Sequence, residues 1–255
     1  MKVAILGGSG KTGRAVGAAL AQVGVATRPL GRAAFDDLPA ALAGADAVHV
    51  IAPNLHPDEP AYVTTVLAAA REAGVGRLVY HSVASPYVPA MPHHLGKAVS
   101  EDLVRRAGLD WTILQPCAYT QNLLPALRAA EESGVLEVPY AVDRPFGMVD
   151  LLDVAAATAA VLTGPGHVGA TYELGGPDLV TIADIAAAAG VSARRVPADA
   201  DVHPWLRAMF DYYDDHGLPT GGVPLGALLG RAPTGVAEVL RRELGDGAAG
   251  RSCQA

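Results

Sequence analysis

Short apolar runs alternate with amphipathic, alanine-rich stretches along the first half of the chain. The runs have the length of buried strands, and the stretches between them carry apolar residues at helical spacing. This alternation predicts an α/β fold with a doubly wound parallel sheet and helices on both faces. The predicted strands are residues 3–6, 25–30, 45–52, 77–82 and 111–116, and the predicted helices are 14–21, 37–43, 62–73 and 93–107.

A glycine-rich turn joins the first strand to the first helix, with the spacing Gly7-x-x-Gly10-x-x-Gly13. A strand, a glycine turn and a helix together offer a bare helix N-terminus to a phosphate, and side chains at the glycines would block a pyrophosphate. We therefore expect a Rossmann-like dinucleotide site here, with Lys11 and Thr12 beside the cofactor.

The segment 8–12, Gly-Ser-Gly-Lys-Thr, also resembles the end of a P-loop. That motif needs a glycine five residues before its Gly-Lys pair, and the residue there is Ile5, inside the strand. The loop is too short to wrap a triphosphate, and the dinucleotide interpretation is preferred.

The second predicted strand carries arginines near its end. Many NAD sites place an acidic residue there to hold the ribose hydroxyls, whereas an arginine suits a 2′-phosphate. Arg28 and Arg32 occupy this region, and the first acidic residues come later, at Asp36 and Asp37. The sequence thus favours NADP(H) over NAD(H); the alternative is that both arginines are solvated strand-end charges. After the third strand, the turn containing Ala52, Pro53 and Asn54 is expected near the adenine or its ribose.

The pattern changes character near residue 176. Before it, the sequence predicts helices at 123–132 and 153–162 and strands at 135–139 and 170–174. After it come a short helix capped by Thr181, an aromatic amphipathic segment and a last helix. We predict a Rossmann-like NAD(P)-binding domain and a small, mainly helical region that binds substrate or acts as a lid. The predicted bounds are 1–175 and 176–255, with 118–143 contributing to the second region and a disordered tail after Gly245.

Composition narrows the possible partners. The net charge of −7, from 19 basic and 26 acidic residues without a basic stripe, argues against nucleic-acid binding. No segment is long and apolar enough to span a bilayer, and no signal peptide precedes the first strand, so we expect no membrane association. The two cysteines, Cys117 and Cys253, are too few for a disulfide framework, which favours a reducing cytoplasm. The eight histidines show no metal-ligand spacing.

Several segments together resemble the NmrA-like, quinone-oxidoreductase-like branch of the atypical short-chain dehydrogenases. The strongest match is residues 108–116, Gly-Leu-Asp-Trp-Thr-Ile-Leu-Gln-Pro, followed by Ala118, Tyr119, Gln121 and Asn122. Matching segments also occur at 7–14, 46–53, 73–79, 94–101, 153–155, 169–177 and 229–234. Gln115 departs from the pattern, because an arginine commonly precedes Pro116 in this family.

The resemblance implies a catalytic arrangement that this chain only partly keeps. Ordinary short-chain dehydrogenases use serine, tyrosine and lysine, with the tyrosine four residues before the lysine. Lys97 matches the lysine and Ser82 lies at a strand end, but the tyrosine position holds His93. Three interpretations remain open: His93 delivers the proton, Tyr87 reaches in from the adjacent loop, or nothing donates and the cofactor is bound without turnover.

Structural roles compete with these catalytic ones. Lys97 could instead be a surface lysine paired with Glu101 at i+4, and His93 and His94 could be a surface pair at a helix N-terminus. Ser82 could bond a substrate carbonyl or simply end its strand.

The resemblance also places Pro116, Cys117 and Tyr119 beside the nicotinamide carboxamide. For the substrate pocket we expect Tyr87, Tyr119, Asn122 and Phe210. The aromatic segment around Phe210 could equally pack against the main domain or a partner subunit, since aromatic residues at helical spacing usually belong to a core.

Three functions follow as hypotheses. The leading one is an NADPH-dependent oxidoreductase that reduces a small apolar carbonyl, quinone or enone, with Lys97, His93 or an ordered water supplying the proton. The second is a non-catalytic NADP(H)-sensing regulator with a protein partner, motivated by the missing tyrosine. The third is a non-redox biosynthetic enzyme that uses the same crevice. A homodimer is compatible with each of them.

Overall fold

Six strands form the main sheet in the computed structural model, which describes residues 1–245. The strands of the described chain are β1 Lys2–Leu6, β2 Ala26–Leu30, β3 Ala47–Val50, β4 Arg77–His81, β5 Asp110–Pro116, β6 Val135–Val138, β7 Ala170–Leu174 and β8 Ser192–Arg195. The order in the main sheet is β2-β1-β3-β4-β5-β7, and β6 and β8 pair in a separate sheet. The pairings of β1 with β2 and β3, of β3 with β4 and of β4 with β5 are all parallel.

Helices connect the parallel strands of this sheet. The helices are α1 Lys11–Gln22, α2 Leu38–Leu42, α3 Glu59–Glu72, α4 Pro92–Arg105, α5 Leu124–Ser133, α6 Leu151–Thr163, α7 Ile182–Ala188, α8 Pro204–His216, α9 Val223–Leu229 and α10 Val236–Leu244. Helix α3 shows how the sequence sets the bounds: Asp58 Oδ1 accepts the Ala61 N–H at 3.0 Å at its start, and Gly74 follows its end with a φ of +70°. None of these described helices is long and apolar enough to cross a membrane.

The main core lies between the sheet and helices α2, α3 and α4. Strand residues Leu6, Val50 and Leu78 are buried there with Val66 of α3 and Val104 of α4. The opposite side chains of the strands meet other helices; Ile5 of β1, for example, lies beneath Gly17 of α1. Apolar residues on both faces give these strands their continuous apolar runs, so the predicted doubly wound parallel sheet is confirmed.

The described chain divides into two compact units. The first comprises residues 1–116 and 152–172; the second comprises 117–151 and continues from 173. The sequence analysis drew a single boundary at residue 175 and gave 118–143 only a share in the second region. The division instead assigns the whole of 117–151 to the second unit, because its backbone and side chains bond to later segments. Phe146 N–H, for example, donates to the Val180 carbonyl at 2.8 Å.

A buried carboxylate ties the last helix to the rest of the second unit. Asp150 is 1% exposed, and its carboxylate accepts hydrogen bonds from both terminal nitrogens of Arg242 at 2.9 Å. Gln121 Nε2 also donates to Asp150, at 2.6 Å, and Gln121 Oε1 accepts the Leu151 N–H. These charge-assisted bonds fix α10 against the segment 117–151.

Four elements were not predicted from sequence. Residues Arg32–Asp36 and Thr120–Asn122 form 3-10 turns, Ser192–Arg195 form the polar strand β8, and helix α9 begins inside a stretch rich in glycine and proline. Each has at most seven residues, too few for a sequence period to show, so tertiary contacts decide it. The predicted cap at Thr181 is confirmed, since its hydroxyl and the Asp184 carboxylate form a reciprocal capping box. The expected disorder after Gly245 and Cys253 lie outside the described residues.

Candidate functional site

The glycine turn at the end of β1 is held by its own backbone. Gly7 has a φ of +76°, which an L side chain rarely adopts, and its N–H donates to the Leu30 carbonyl at 3.1 Å. Gly10 N–H donates back to the Gly7 carbonyl at 3.0 Å. The turn therefore closes tightly and leads directly into α1.

Two further positions in this turn have no room for a side chain. A Cβ at Gly13 would lie 2.3 Å from the Gly7 carbonyl oxygen, and one at Gly8 would lie 2.6 Å from Pro29 Cα. Gly10 is the N-cap of α1 and has no side chain, so it gives the N–H groups of the first turn no side-chain hydrogen bond. A helix start of this kind is suited to an anion.

A cavity of about 790 Å³ opens at this turn. It is lined by the glycine turn, the start of α1, the 3-10 turn after β2, the loop after β3 and one residue of α3. Of the residues expected at the cofactor, the structure brings these together: Gly7, Gly10, Lys11, Thr12, Gly13, Arg32, Ala52, Pro53 and Asn54.

The chemistry of the cavity fits a phosphorylated dinucleotide. Its volume lies within the range of ligand pockets, and no aspartate or glutamate is among its lining residues. Lys11 and Arg32 supply positive charge, and partial burial lowers the pKa of the Lys11 amine. Close backbone packing at Gly13 and the uncapped helix start supply the cradle that a pyrophosphate requires.

Arg28 lies elsewhere. Its guanidinium donates to the carbonyls of Ala41, at 2.5 Å, and Ala43, at 3.1 Å, and so caps the end of α2. It is not among the residues that line the cavity. The two arginines that the sequence grouped together are thus separated, and only Arg32 lies where it could meet a 2′-phosphate.

Lys97 is neither a surface residue nor the partner of Glu101. It is 6% exposed, and its Nζ donates to Glu59 Oε1 of α3 at 2.8 Å and to the His81 carbonyl at 3.5 Å. The Tyr80 hydroxyl donates to the same Glu59 oxygen at 2.6 Å. The second oxygen of Glu59 is buried and has no hydrogen-bond partner among the described residues. A buried ion pair therefore joins α4 to α3.

Glu101 is a buried carboxylate on the same face of α4, and it accepts hydrogen bonds from three side chains. It is 1% exposed, and its Oε1 accepts Ser82 Oγ at 2.6 Å and Gln115 Nε2 at 2.7 Å. Arg105 donates to its other oxygen at 3.0 Å. Gln115 stands where the family commonly has arginine, and here Arg105 supplies the positive charge. Ser82 directly follows β4, and its hydroxyl is already bonded inside the protein.

The remaining candidates of the first unit differ in exposure. His93 and His94 are both buried, with ring centroids 6.0 Å apart, so they are not a surface pair. Burial lowers the pKa of His94 to about 4, and its Nδ1 lies 3.2 Å from the Ser85 carbonyl. Tyr87, in contrast, is 67% exposed on the loop before α4.

The residues expected at the nicotinamide and substrate fall mainly in the second unit. Pro116 ends β5, and the buried Cys117 directs its thiol to the Leu218 carbonyl at 3.4 Å. Burial raises the pKa of that thiol to about 11, which argues against a nucleophile. Tyr119 is half-buried and Asn122 is exposed. Phe210 packs on Tyr140 with 5.6 Å between ring centroids, within its own unit.

Sequence reasoning missed several residues at the cavity. Phe35, His56 and Tyr62 line it, and Glu59 holds Lys97. Phe35 and His56 follow the ends of β2 and β3, where ligands of parallel sheets bind. Their position after the strand ends could have indicated them.

A buried histidine pair lies within the sheet. His49 of β3 is fully buried, and its ring lies 5.5 Å from that of His81 on β4. Neither ring nitrogen of His49 has a hydrogen-bond partner among the described residues. Burial lowers the pKa of His49 from 6.5 to about 3. Burial, followed by the neighbouring His49 and Lys97 side chains, lowers the pKa of His81.

We predict that His49 makes the protein acid-sensitive. The folded protein holds the ring neutral, whereas the unfolded chain takes up a proton below pH 6.5. Stability is therefore lost as the pH falls from 6.5 toward 3, and His49 accounts for about 2 kcal/mol of this loss at pH 5. Urea unfolding of the wild type and His49→Leu at pH 7.5 and pH 5 measures it. The variant should keep about 2 kcal/mol more of its stability on acidification.

His216→Gln is the matched control. His216 is exposed, so this variant should lose as much stability as the wild type between pH 7.5 and pH 5. Equal losses of stability in the wild type and His49→Leu would show that the pKa of His49 is not depressed in the folded protein.

Comparison with known proteins adds three relatives. An NAD(P)H azoreductase of Xenophilus azovorans is 35% identical over 160 residues, which is 62% of this chain and 55% of that protein. The (4-alkanoyl-5-oxo-2,5-dihydrofuran-3-yl)methyl phosphate reductase of Streptomyces griseus is 32% identical over 70% of this chain and 69% of its own. Quinone oxidoreductase 2 of Escherichia coli is 30% identical over 66% and 59%.

The fold has close counterparts among solved structures. An NADPH-dependent quinone oxidoreductase of Escherichia coli, solved in complex with NADPH, superposes with a TM-score of 0.80. The superposition covers 95% of this chain and 99% of that one at 24% identity, which shows a shared fold. The model of the NmrA-like family matches residues 33–196, more than half of the sequence, and the chain therefore belongs to the NmrA-like family.

Proposed function

We propose that this protein is an NADPH-dependent oxidoreductase that reduces a small apolar carbonyl, quinone or enone. The observation that carries the proposal is the cavity of about 790 Å³ at the glycine turn, cationic and free of lining carboxylates. Such a cavity accepts a phosphorylated dinucleotide, and the fold places it at the carboxyl ends of parallel strands.

The relatives support the same chemistry. The names of the matched proteins from Xenophilus azovorans, Streptomyces griseus and Escherichia coli describe an azoreductase, a reductase of a dihydrofuran phosphate and a quinone oxidoreductase. All three are reductases, but they differ in the substrate that they reduce. The proposed substrate class is a small apolar carbonyl, quinone or enone. This choice rests on the apolar character of the chain and on its resemblance to the quinone reductases.

The phosphates and a ribose of the cofactor have candidate contacts in the chain. The glycine turn and the first turn of α1, with Lys11 and Thr12, would hold the pyrophosphate. Arg32 would hold the 2′-phosphate, since a guanidinium matches phosphate geometry. Ala52, Pro53 and Asn54 would border a ribose. NADPH, when bound, supplies a hydride.

We assign the accompanying proton to Lys97. Its Nζ lies at the carboxyl end of β4, bonded to Glu59 and to the His81 carbonyl. The alternative donors are His93, which is 6% exposed, and an ordered water. Glu59 is a positioning residue in this scheme, because it fixes the Lys97 amine without contacting the substrate.

Titration with NADPH and NADH, followed by NADPH oxidation with a panel of quinones and enones, tests the proposal. Tight binding with oxidation is the expected result. Binding without oxidation would favour an NADP(H)-sensing protein or a non-redox enzyme over a reductase. Absence of binding would refute the dinucleotide site itself.

We predict that Arg32→Ala weakens NADPH binding by about 1–3 kcal/mol and changes NADH binding little, because a charged hydrogen bond to the 2′-phosphate is lost. Calorimetric titration of both cofactors measures the difference. Arg28→Ala is the matched control: its guanidinium caps α2, so that variant should lose stability without changing the preference between cofactors. Equal losses for NADPH and NADH in Arg32→Ala would contradict the assignment.

A further inference from the structure

The three lysines of the chain lie in different surroundings. Lys97 is 6% exposed and bonded to Glu59, so its amine is shielded from reagents in solution. Lys2 begins β1 and is exposed, but it is not among the residues that line the cavity. Lys11 begins α1, is exposed, and lines the cavity of about 790 Å³. Of the three, Lys11 is the lysine that combines an accessible side chain with a place in a ligand cavity.

The surroundings of Lys11 favour the neutral form of its amine. Burial of part of the side chain lowers its pKa. No aspartate or glutamate is among the residues lining the cavity, and Arg32 contributes a second cation to the same lining. A lysine that is partly desolvated, or that shares a site with another cation, is a better nucleophile near neutral pH because more of it is unprotonated. We therefore expect Lys11 to react faster than an ordinary surface lysine.

The cavity also favours one class of electrophile. Its glycine turn, the start of α1 and Arg32 suit a phosphate group. An acyl phosphate carries its phosphate on a reactive carbonyl carbon, through a single bridging oxygen. A phosphate bound in the cavity would bring that carbonyl to the amine that lines the same cavity, and such positioning accelerates a reaction.

We propose that Lys11 is an acylation site for acyl phosphates and that its acylation blocks dinucleotide binding. The Lys11 Nζ attacks the carbonyl carbon, the bond from that carbon to the bridging oxygen breaks, and phosphate leaves with the electron pair. The nitrogen releases a proton to solvent and becomes an amide. The amide carries no charge, and its acyl group adds bulk to the cavity. The block rests on the proposed dinucleotide function, whereas the acylation site does not.

Acetyl phosphate tests the site on the full chain. After incubation near neutral pH, mass spectrometry of peptides measures the rate of acetylation at each lysine. We expect Lys11 to react at least about tenfold faster than Lys2, because the cavity positions the reagent beside its amine, and Lys97 to react more slowly than either. Equal rates at Lys11 and Lys2 would overturn the acylation site.

Acetic anhydride separates the reactivity of the amine from guidance by phosphate. This reagent acylates amines without carrying a phosphate, so the preference for Lys11 over Lys2 should shrink. An undiminished preference would overturn the role that we give to phosphate binding. Saturating NADPH, added before acetyl phosphate, should slow acetylation of Lys11 and leave that of Lys2 unchanged.

Calorimetry with NADPH measures the block. Wild-type protein that is treated with acetyl phosphate and then desalted should bind NADPH at least about tenfold more weakly, as expected for the loss of one charged hydrogen bond. Lys2→Arg is the matched control, and treatment should weaken its NADPH binding as much as it weakens that of the wild type. Lys11→Arg keeps the charge without an amine to acylate, so its NADPH affinity should be the same before and after treatment.

The outcomes separate this inference from the proposed function. Unchanged NADPH affinity of the wild type after full acetylation of Lys11 would overturn the block and leave the dinucleotide function intact. A loss of affinity that persists in treated Lys11→Arg would assign the effect to another residue and also overturn the block. Failure of the untreated wild type to bind NADPH would refute the proposed function, while preferential acetylation of Lys11 would still establish the acylation site.

Discussion

Gly13→Ala should abolish tight NADPH binding. Its Cβ would lie 2.3 Å from the Gly7 carbonyl oxygen and 2.6 Å from Gly8 Cα, both backbone atoms of the turn. Neither atom can move away as a side chain does, so the turn and the start of α1 must separate. This displacement moves the backbone that would hold the pyrophosphate. We expect NADPH affinity to fall at least tenfold and unfolding free energy to fall by about 1–3 kcal/mol, the usual cost of overpacking.

Gly17→Ala on the same helix provides the matched control. Its Cβ would meet Ile5 Cδ1 at 3.8 Å, an ordinary contact, so the methyl group fits. Alanine is favoured over glycine inside a helix, and the substitution should stabilise the protein by about 0.5–1 kcal/mol without changing NADPH affinity. Calorimetry and urea unfolding on both variants measure the contrast. Tight NADPH binding by Gly13→Ala would show that the turn does not hold the cofactor.

The glycine turn could be predicted because the motif that specifies it is local. The strand, the glycines and the helix follow one another within residues 2–22, and backbone sterics fix the turn between them. The sheet could be predicted for a related reason: strands buried on both faces are continuously apolar, which the sequence shows directly.

The separation of Arg28 from Arg32 could not be predicted. Both lie near the end of β2, and charge alone gives them the same role. Arg28 is engaged because α2 ends beside it and presents the Ala41 and Ala43 carbonyls. That choice depends on how a short helix packs, which the local sequence does not encode.

The partner of Lys97 could not be predicted from local sequence for the same reason. Helical spacing offered a pair with Glu101 as the alternative to a role of Lys97 at the cofactor. Instead Lys97 pairs with Glu59, 38 residues earlier, and Glu101 binds Arg105 and Ser82. Packing of α4 on α3 and the sheet buries both side chains, and a buried charge takes the best-placed partner, whatever its distance in sequence.

The buried ion pair leads to the second large expected effect. Lys97→Met should lower the unfolding free energy by about 3–5 kcal/mol, because among the described residues it leaves the buried Glu59 carboxylate with the Tyr80 hydroxyl as its one partner. Glu59 is 2% exposed and one of its oxygens already has no partner among the described residues, so water cannot readily replace the lost ammonium. Urea unfolding at pH 7.5 measures the loss.

The double variant Glu59→Gln/Lys97→Met separates stability from chemistry. Glutamine keeps the shape of Glu59 and can still accept the Tyr80 hydroxyl, so no charge is left buried and most of the lost stability should return. Turnover should not return, because the proton donor that we assign is still missing. NADPH oxidation with an active quinone or enone, at saturating cofactor and across pH, provides the second readout.

The two readouts together decide the role of Lys97. If the double variant regains both stability and turnover, Lys97 serves only to neutralise Glu59, and the proton comes from His93 or from solvent. If stability returns while turnover stays low over the whole pH range, the lysine acts in the reaction itself. An unchanged stability of the Lys97→Met single variant would contradict the buried ion pair, since a carboxylate without its counter-ion in that position must destabilise the fold.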